Sequence, residues 1–336
     1  MLLSLKSVTV FLACVSAGYG LQPSDIPHDT PLSSLISTAK SHLANGSPRD
    51  ALLYFDVAIT RDPTNYVTIF QRGAAYLSLG KSSRASEDFD RVLKLKPDFE
   101  GALLQRSRLR SRAADWNGAL DDLKNAGKKA SAQYQELQVA QKAASSAQNA
   151  EKKGEWDACI NQAGIAIAKA SESINLRNTR AHCHFEKGET EDGVNDLAHV
   201  THVSPSLVEP HLRMSSVLFY ALGDIERGVS QIRKCLHFDP ESKACSGVFR
   251  RQKQIVKRLN SVKESIGKRK FSAAANLLVG TNGQGGLISD VKEDIQQARE
   301  AGFIYPATPT NLYTLLVEDT CEAYRQVCIS DFWSCY

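Results

Sequence analysis

The sequence lacks the short signatures that mark the commoner enzymes. It contains no His-Glu-x-x-His pair and no Gly-x-Ser-x-Gly elbow, which argues against a zinc peptidase or an α/β hydrolase. The glycines at 280–286 are followed by no Lys-Ser or Lys-Thr and preceded by no strand pattern, so they read as a flexible loop and not a phosphate cradle. None of the eight cysteines stands in a Cys-x-x-Cys spacing, which removes the usual zinc and dithiol motifs. Lys and Arg form no long run and the net charge is only +4, so no nucleic-acid arm is expected. No apolar stretch is long enough to cross a bilayer, so no membrane insertion is expected either. Catalytic, cofactor and metal-ligating residues are therefore assigned to none of the side chains. His199 and His202 lie three apart, but no third ligand is close in sequence. Asp121 and Asp122 read as part of a solvated helix face.

What is present is a period. Gly73, Tyr76, Gly80, Ala85, Phe89 and Pro97 are matched thirty-four residues earlier by Ala39, His42, Gly46, Ala51, Phe55 and Pro63. That spacing is the tetratricopeptide pattern, one helix–turn–helix per repeat. The small residues let two helices cross closely and the large ones fill the space between hairpins. No hairpin can bury its face alone, so neighbours must stack. The expected fold is all-α, a tetratricopeptide-repeat right-handed superhelical solenoid, whose first helices line a concave groove. His42 and His184 stand in aromatic slots of the repeat and are expected to pack.

The period divides the chain. Lys6, the apolar run Val8–Val15 and the small residues Ala17, Gly18 and Gly20 read as a secretory signal over residues 1–20. Residues 21–31 read as an unstructured lead-in, and 32–127 as a first block of three repeats. Residues 128–246 hold a linker helix and a second block of three, whose small mid-helix residues are Ala147, Ala181 and Ser216. Residues 247–326 carry a long helix, a seventh repeat, the glycine-rich loop and an incomplete eighth repeat. Residues 327–336 depart from the pattern and are expected to be foreign to it, as translated intron or a truncated reading frame would be.

Once Cys14 is removed with the signal, seven cysteines remain, an odd number. Cys235 and Cys245 flank a helix–turn–helix corner, and Cys159 and Cys183 lie on helices that pack directly. Each pair reads as a disulfide or as small core residues; we take both as disulfides. Cys321 is expected to be free.

The signal, the two three-repeat blocks and the run Ile232-Arg-Lys-Cys-Leu-His-Phe-Asp-Pro240, followed by Cys245, resemble the tetratricopeptide–J-domain co-chaperones of the endoplasmic reticulum lumen. These are the kinase-inhibitor type of DnaJ homologue and its fungal equivalents. The helix Arg250–Leu259 is similar too. The resemblance implies a non-enzymatic luminal protein that binds unfolded or misfolded polypeptide clients, within Hsp70-type folding and the unfolded-protein response. It also implies a bridge at Cys235 and Cys245. Engagement of the luminal Hsp70-type chaperone would go through a J domain, and no His-Pro-Asp tripeptide occurs here.

By repeat geometry the client-binding candidates are Ile36, Leu43, Val67, Phe70, Leu77 and Leu104, apolar residues on the first helices of the first block; inter-helix packing is the competing role for each. A carboxylate clamp would need Lys and Asn where Ile36, Lys40, Gln71, Gly101 and Gln105 stand, which argues against docking of acidic chaperone tails. A scaffold or adaptor for one folded partner is the remaining alternative.

Overall fold

The computed structural model describes residues 22, 25–281 and 285–334, and the side chains of these up to Cys328. The expected signal, the centre of the glycine-rich loop and most side chains of residues 327–336 lie outside the described residues. Within them there is no strand. The helices pair as hairpins: α1 (Leu32–Ala44) with α2 (Pro48–Arg61), α3 (Tyr66–Ser78) with α4 (Ser82–Leu95), and α5 (Glu100–Arg112) with α6 (Trp116–Asn125). Then come α7 (Ala132–Lys153) with α8 (Trp156–Ile167), and α9 (Ile174–Lys187) with α10 (Thr190–Val203). The last are α11 (Val208–Ser216, continued to Ala221) with α12 (Ile225–Phe238), α13 (Lys243–Gly267) with α14 (Phe271–Val279), α15 (Leu287–Glu300) and α16 (Asn311–Ser334). This is an all-α tetratricopeptide-repeat solenoid. It divides into two compact units: residues up to 110 with 117–129, and residues 111–116 with 130–336. The segments expected as 128–246 and 247–326 thus fall almost wholly in the second unit.

The first unit shows why the pattern folds as it does. Gly73 on α3 faces Phe89 on α4 so closely that a Cβ would sit 2.7 Å from the ring, which is why the slot takes glycine. Phe55, Ile69, Ala75, Ala85 and Phe89 close one core. Gly80, at φ +69°, makes the turn between α3 and α4. The lead-in is irregular in backbone but not loose: Ile26 is buried against Leu35 and Ala58, and Arg61 donates to the carbonyls of Thr30 and His28.

In the second unit the linker helix begins later than expected. Gly127 is left-handed, and α7 starts only after the Ser131 hydroxyl accepts from the Tyr134 amide. The helix is also the first helix of the fourth repeat, packing on α8. The spacing from Ala181 to Ser216 is one residue over the repeat. In the structure Ser215 takes the small-residue place, its hydroxyl donating to the Gly228 carbonyl as that of Ser107 does to Ala119. The surplus falls after it, at Val217–Ala221, a π-helical turn in which the Leu222 amide bonds the Val217 carbonyl at 2.9 Å. Cys159 lies at disulfide distance from Cys183, and Cys235 from Cys245, each pair with Cα atoms 6.3 Å apart. Cys321 and Cys328 are exposed thiols. Helix α16 runs without a break through Val327 to Ser334.

Candidate functional site

The first helices of the first unit carry the apolar candidates, and the structure grades them. Val67 is the most open, at 40% exposure. Leu43, Phe70 and Leu77 are half-buried over the unit's core, Ile36 lies against the Ile26–Leu35–Ala58 cluster, and Leu104 is half-buried on α5. Phe70 also has a packing task. Its ring lies 5.7 Å from that of Phe89 and 5.1 Å, edge-on, from that of Phe99. Tyr66 meets Phe99 edge-on at 5.3 Å. A Cβ at Gly101 would come within 3.1 Å of the Phe70 ring, so a side chain there would press on it. Phe70 is therefore a wall of the surface as well as a part of it.

Beneath this apolar row runs a polar one that the sequence reading missed. Arg72 grips Asp88 of its own hairpin with two hydrogen bonds of 2.9 and 2.6 Å, and reaches Asp56 of the preceding hairpin at 2.8 Å. Thirty-four residues on, Arg106 grips Asp122 at 3.0 and 2.6 Å and reaches Asp90 at 2.6 Å. Asp122 is thus a correction: it is buried, not on a solvated face, because its carboxylate is the acceptor for a fork of arginine N–H groups. Hydrogen bonding to Asp88 holds the Arg72 guanidinium charged well beyond its ordinary range. The signal was available: both arginines and all four aspartates share the repeat's spacing.

The second unit keeps one rung. Arg180 grips Asp196 at 2.7 and 2.6 Å, but where a preceding-hairpin aspartate would stand there is Gly164, and Arg177 takes the second approach to Asp196 at 2.9 Å. In the next hairpin the rung is neutral, Gln231 with His211 at 2.7 Å.

His42, His184 and His199 are committed to packing and bonding, while His202 is exposed. His42 stacks on Tyr54 at 5.3 Å, and His199 Nε2 lies 3.0 Å from the Ser171 carbonyl. Among the described residues one group, His184, Glu189 and Asp192, has ligand atoms close enough to share a metal. The Lys187 ammonium, 2.6 Å from the Glu189 carboxylate, already fills that role of counter-charge and holds the Glu189 carboxyl below its usual range, with His184 adding to the effect.

No protein-family model matches the chain. It is 44% identical over 321 residues to the tetratricopeptide repeat and J domain-containing co-chaperone DNJ1 of Fusarium oxysporum f. sp. lycopersici, covering 95% of this chain and 61% of the relative. It is 30% identical over 250 residues to DnaJ homolog subfamily C member 3 of Homo sapiens, covering 72% of this chain and 49% of that protein. Among solved structures the crystal structure of the P58(IPK) TPR domain superposes with a TM-score of 0.69 at 26% identity, covering 88% of this chain and 79% of that one. The chain is a homologue of these co-chaperones. It spans about half to three-fifths of the length of the curated relatives it matches. The DNJ1 name describes a co-chaperone, which puts the chain with binding proteins and not with enzymes.

Proposed function

We propose that the chain holds unfolded or misfolded polypeptides through the first-helix surface of its first unit, as a co-chaperone module of the endoplasmic reticulum lumen. The observation that carries the reading is the apolar row Ile36, Leu43, Val67, Phe70, Leu77 and Leu104. It stays partly exposed over three successive hairpins of a co-chaperone homologue. Unfolded chains offer apolar side chains without a fixed shape, and a shallow apolar row on a rigid scaffold can meet many of them. The luminal address is supported by the signal-like residues 1–20 and by cysteine pairs set for bridging, which persist in an oxidising compartment. The same compartment holds the Hsp70-type folding system and the unfolded-protein response, in which such a holding step belongs.

The test is suppression of aggregation of a reduced, unfolded polypeptide, run beside binding of the same protein folded. Val67→Ser with Leu104→Ser should weaken holding by about thirtyfold, since two hot-spot contacts at about 1 kcal/mol each amount to about 2 kcal/mol. Moderate salt should change it little. Equal binding of folded and unfolded forms, or an unchanged double variant, would favour a scaffold for one folded partner.

A further inference from the structure

The segment 301–310, between α15 and α16, does something the repeat pattern does not require. It carries no helix. The Phe303 amide closes α15 by donating to the Ala298 carbonyl at 2.8 Å, and Thr308 turns the chain by donating its amide and hydroxyl to the Tyr305 carbonyl at 3.1 and 2.6 Å. Between those two anchors the chain sends Tyr305 onto α9 and α11, helices more than eighty residues away in sequence. The ring is stacked on Phe185 at 5.1 Å and 13°. His182 stands 5.3 Å from it and the Arg213 guanidinium 5.7 Å over its face. Tyr305 keeps 9% of its surface, while Pro306 and Ala307 on either side of the turn are exposed.

The positions matter. Arg213 stands two residues before Ser215, the structural match of Ser107, and Phe185 four after Ala181. Gln71 and Leu77 hold those offsets from Gly73 in the first unit. Tyr305 thus covers, in the second unit, places that correspond to the half-buried first-helix surface of the first. Its neighbours are sorted apart: Ile304 is buried in a separate cluster with Leu312 and Leu316, and the cluster of Ala181, Phe185, Leu197, Met214 and Leu218 is closed around α9 to α11 apart from the tyrosine. The ring can leave while its neighbour stays anchored. What remains is a clamp with one aromatic face and one cationic face, a combination suited to an electron-rich ring.

We propose that α9 and α11 form a peptide site for an extended polypeptide segment that presents an aromatic residue followed by proline, and that the chain's own 301–310 segment occupies it as a competitive strap. The occupant's chemistry is read from the strap already seated there, Tyr305-Pro306. The site is separate from the surface of the first unit and stands whether or not that surface holds clients. In the strapped chain the apparent affinity for a segment in trans is lowered by the fraction of time the strap is open.

The test uses the full chain and a labelled synthetic decapeptide with the sequence of residues 301–310. Tyr305→Ala, which empties the clamp, should bind the peptide at least about tenfold more tightly than the unaltered chain, as expected if the strap is open less than about a tenth of the time. A peptide with alanine in place of its tyrosine should not bind, and Arg213→Ala added to Tyr305→Ala should weaken binding. A Tyr305→Ala chain with native helicity and a native melting curve that binds no peptide overturns the proposal. Hydrogen exchange on the unaltered chain keeps it refutable if that variant fails to fold. The amides of 303–308 should exchange before those of α9 and α11, and exchange only on global unfolding would make the segment core and sink the idea.

Discussion

Two residues before the small mid-helix residue, the first unit carries Gln71 and the second Arg213; four after it, they carry Leu77 and Phe185. One surface stays half-open and apolar. The other is cationic and aromatic and lies under Tyr305. The means of holding the hairpins differ as well. The first unit repeats a charged rung, Arg72 and Arg106 each bridging two hairpins, and has no cysteine among its described residues. The second keeps one such rung at Arg180, replaces the next by Gln231 and His211, and contains both cysteine pairs. The same backbone hairpin is thus held by buried ion pairs in one place and accompanied by cysteine pairs at disulfide distance in the other. A stack whose hairpins are fixed by charge can leave its groove free, whereas the second unit binds part of itself.

The sharpest way to break that contrast is to cut a rung. Asp88→Ala strips the Arg72 guanidinium, whose side chain is only 18% exposed, of its bidentate partner. A buried ion pair adds little net stability when intact, but removing Asp88 leaves the part-buried guanidinium with only the half-exposed Asp56, and the loss should be about 2–3 kcal/mol, below that of a fully orphaned charge. Hydrogen exchange should show α1 to α5 loosened and α9 to α12 unaffected. Equal loosening of both units would show that they fold as one cooperative body and that the contrast has no energetic meaning.

The covalent side is tested next. Cys235→Ser with Cys245→Ser removes a link between residues ten apart, which should lower the second unit's stability by about 2–3 kcal/mol, and reduction of the unaltered chain should act the same way. The first unit should not respond. Non-reducing peptide maps that find all four of these thiols free would remove the covalent half of the comparison. Cys321, exposed on α16, should react with alkylating reagents in the unreduced chain.

A smaller effect probes Phe70. Phe70→Leu keeps most of the apolar volume but loses the edge contacts with Phe99 and Phe89, and should cost about 1–2 kcal/mol, below the loss expected for alanine. If holding of unfolded polypeptide falls no more than that stability change explains, Phe70 serves the wall and Val67 and Leu104 carry the binding.

These differences were unevenly legible in the sequence. The period was readable because close packing forbids a side chain at sites such as Gly73 and demands a large one at Phe89, so the rule is written in residue size. The rungs escaped because aspartate and arginine on an amphipathic helix look like solvent-facing residues until a partner on the next hairpin is known; Asp122 was misread for that reason. The start of α7 was missed because Lys, Gln and Ala favour helix and only Gly127 and the capping Ser131 contradict them. The surplus residue near Ser216 was visible, but its place after Ser215, in a π-turn, was not. Tyr305 left no local trace at all, since its partners are separated from it by several helices in sequence.

The smallest expected change concerns turn chemistry. Five hairpin turns among the described residues place a glycine in the left-handed region, as Gly80 and Gly154 do, and the turn between α5 and α6 places Ala114 there, at φ +65°. The turn between α13 and α14 instead places Arg269 there, at φ +55°. A residue with a Cβ is strained in that region, and glycine relieves the strain while giving back some of the gain by loosening the unfolded chain. Arg269→Gly should therefore stabilise the second unit by about 0.5–1 kcal/mol, read as slower exchange of α13 and α14 with the first unit unmoved. The carbonyls that the turn must satisfy are those of Ser265 and Ile266, bonded by the amides of Lys270 and Arg269 at 2.8 and 2.9 Å, and glycine keeps the amide that position 269 supplies. A loss of stability would mean that the arginine side chain contributes more than its backbone costs, and that the seventh hairpin departs from the glycine turns for a reason that lies in what Arg269 touches.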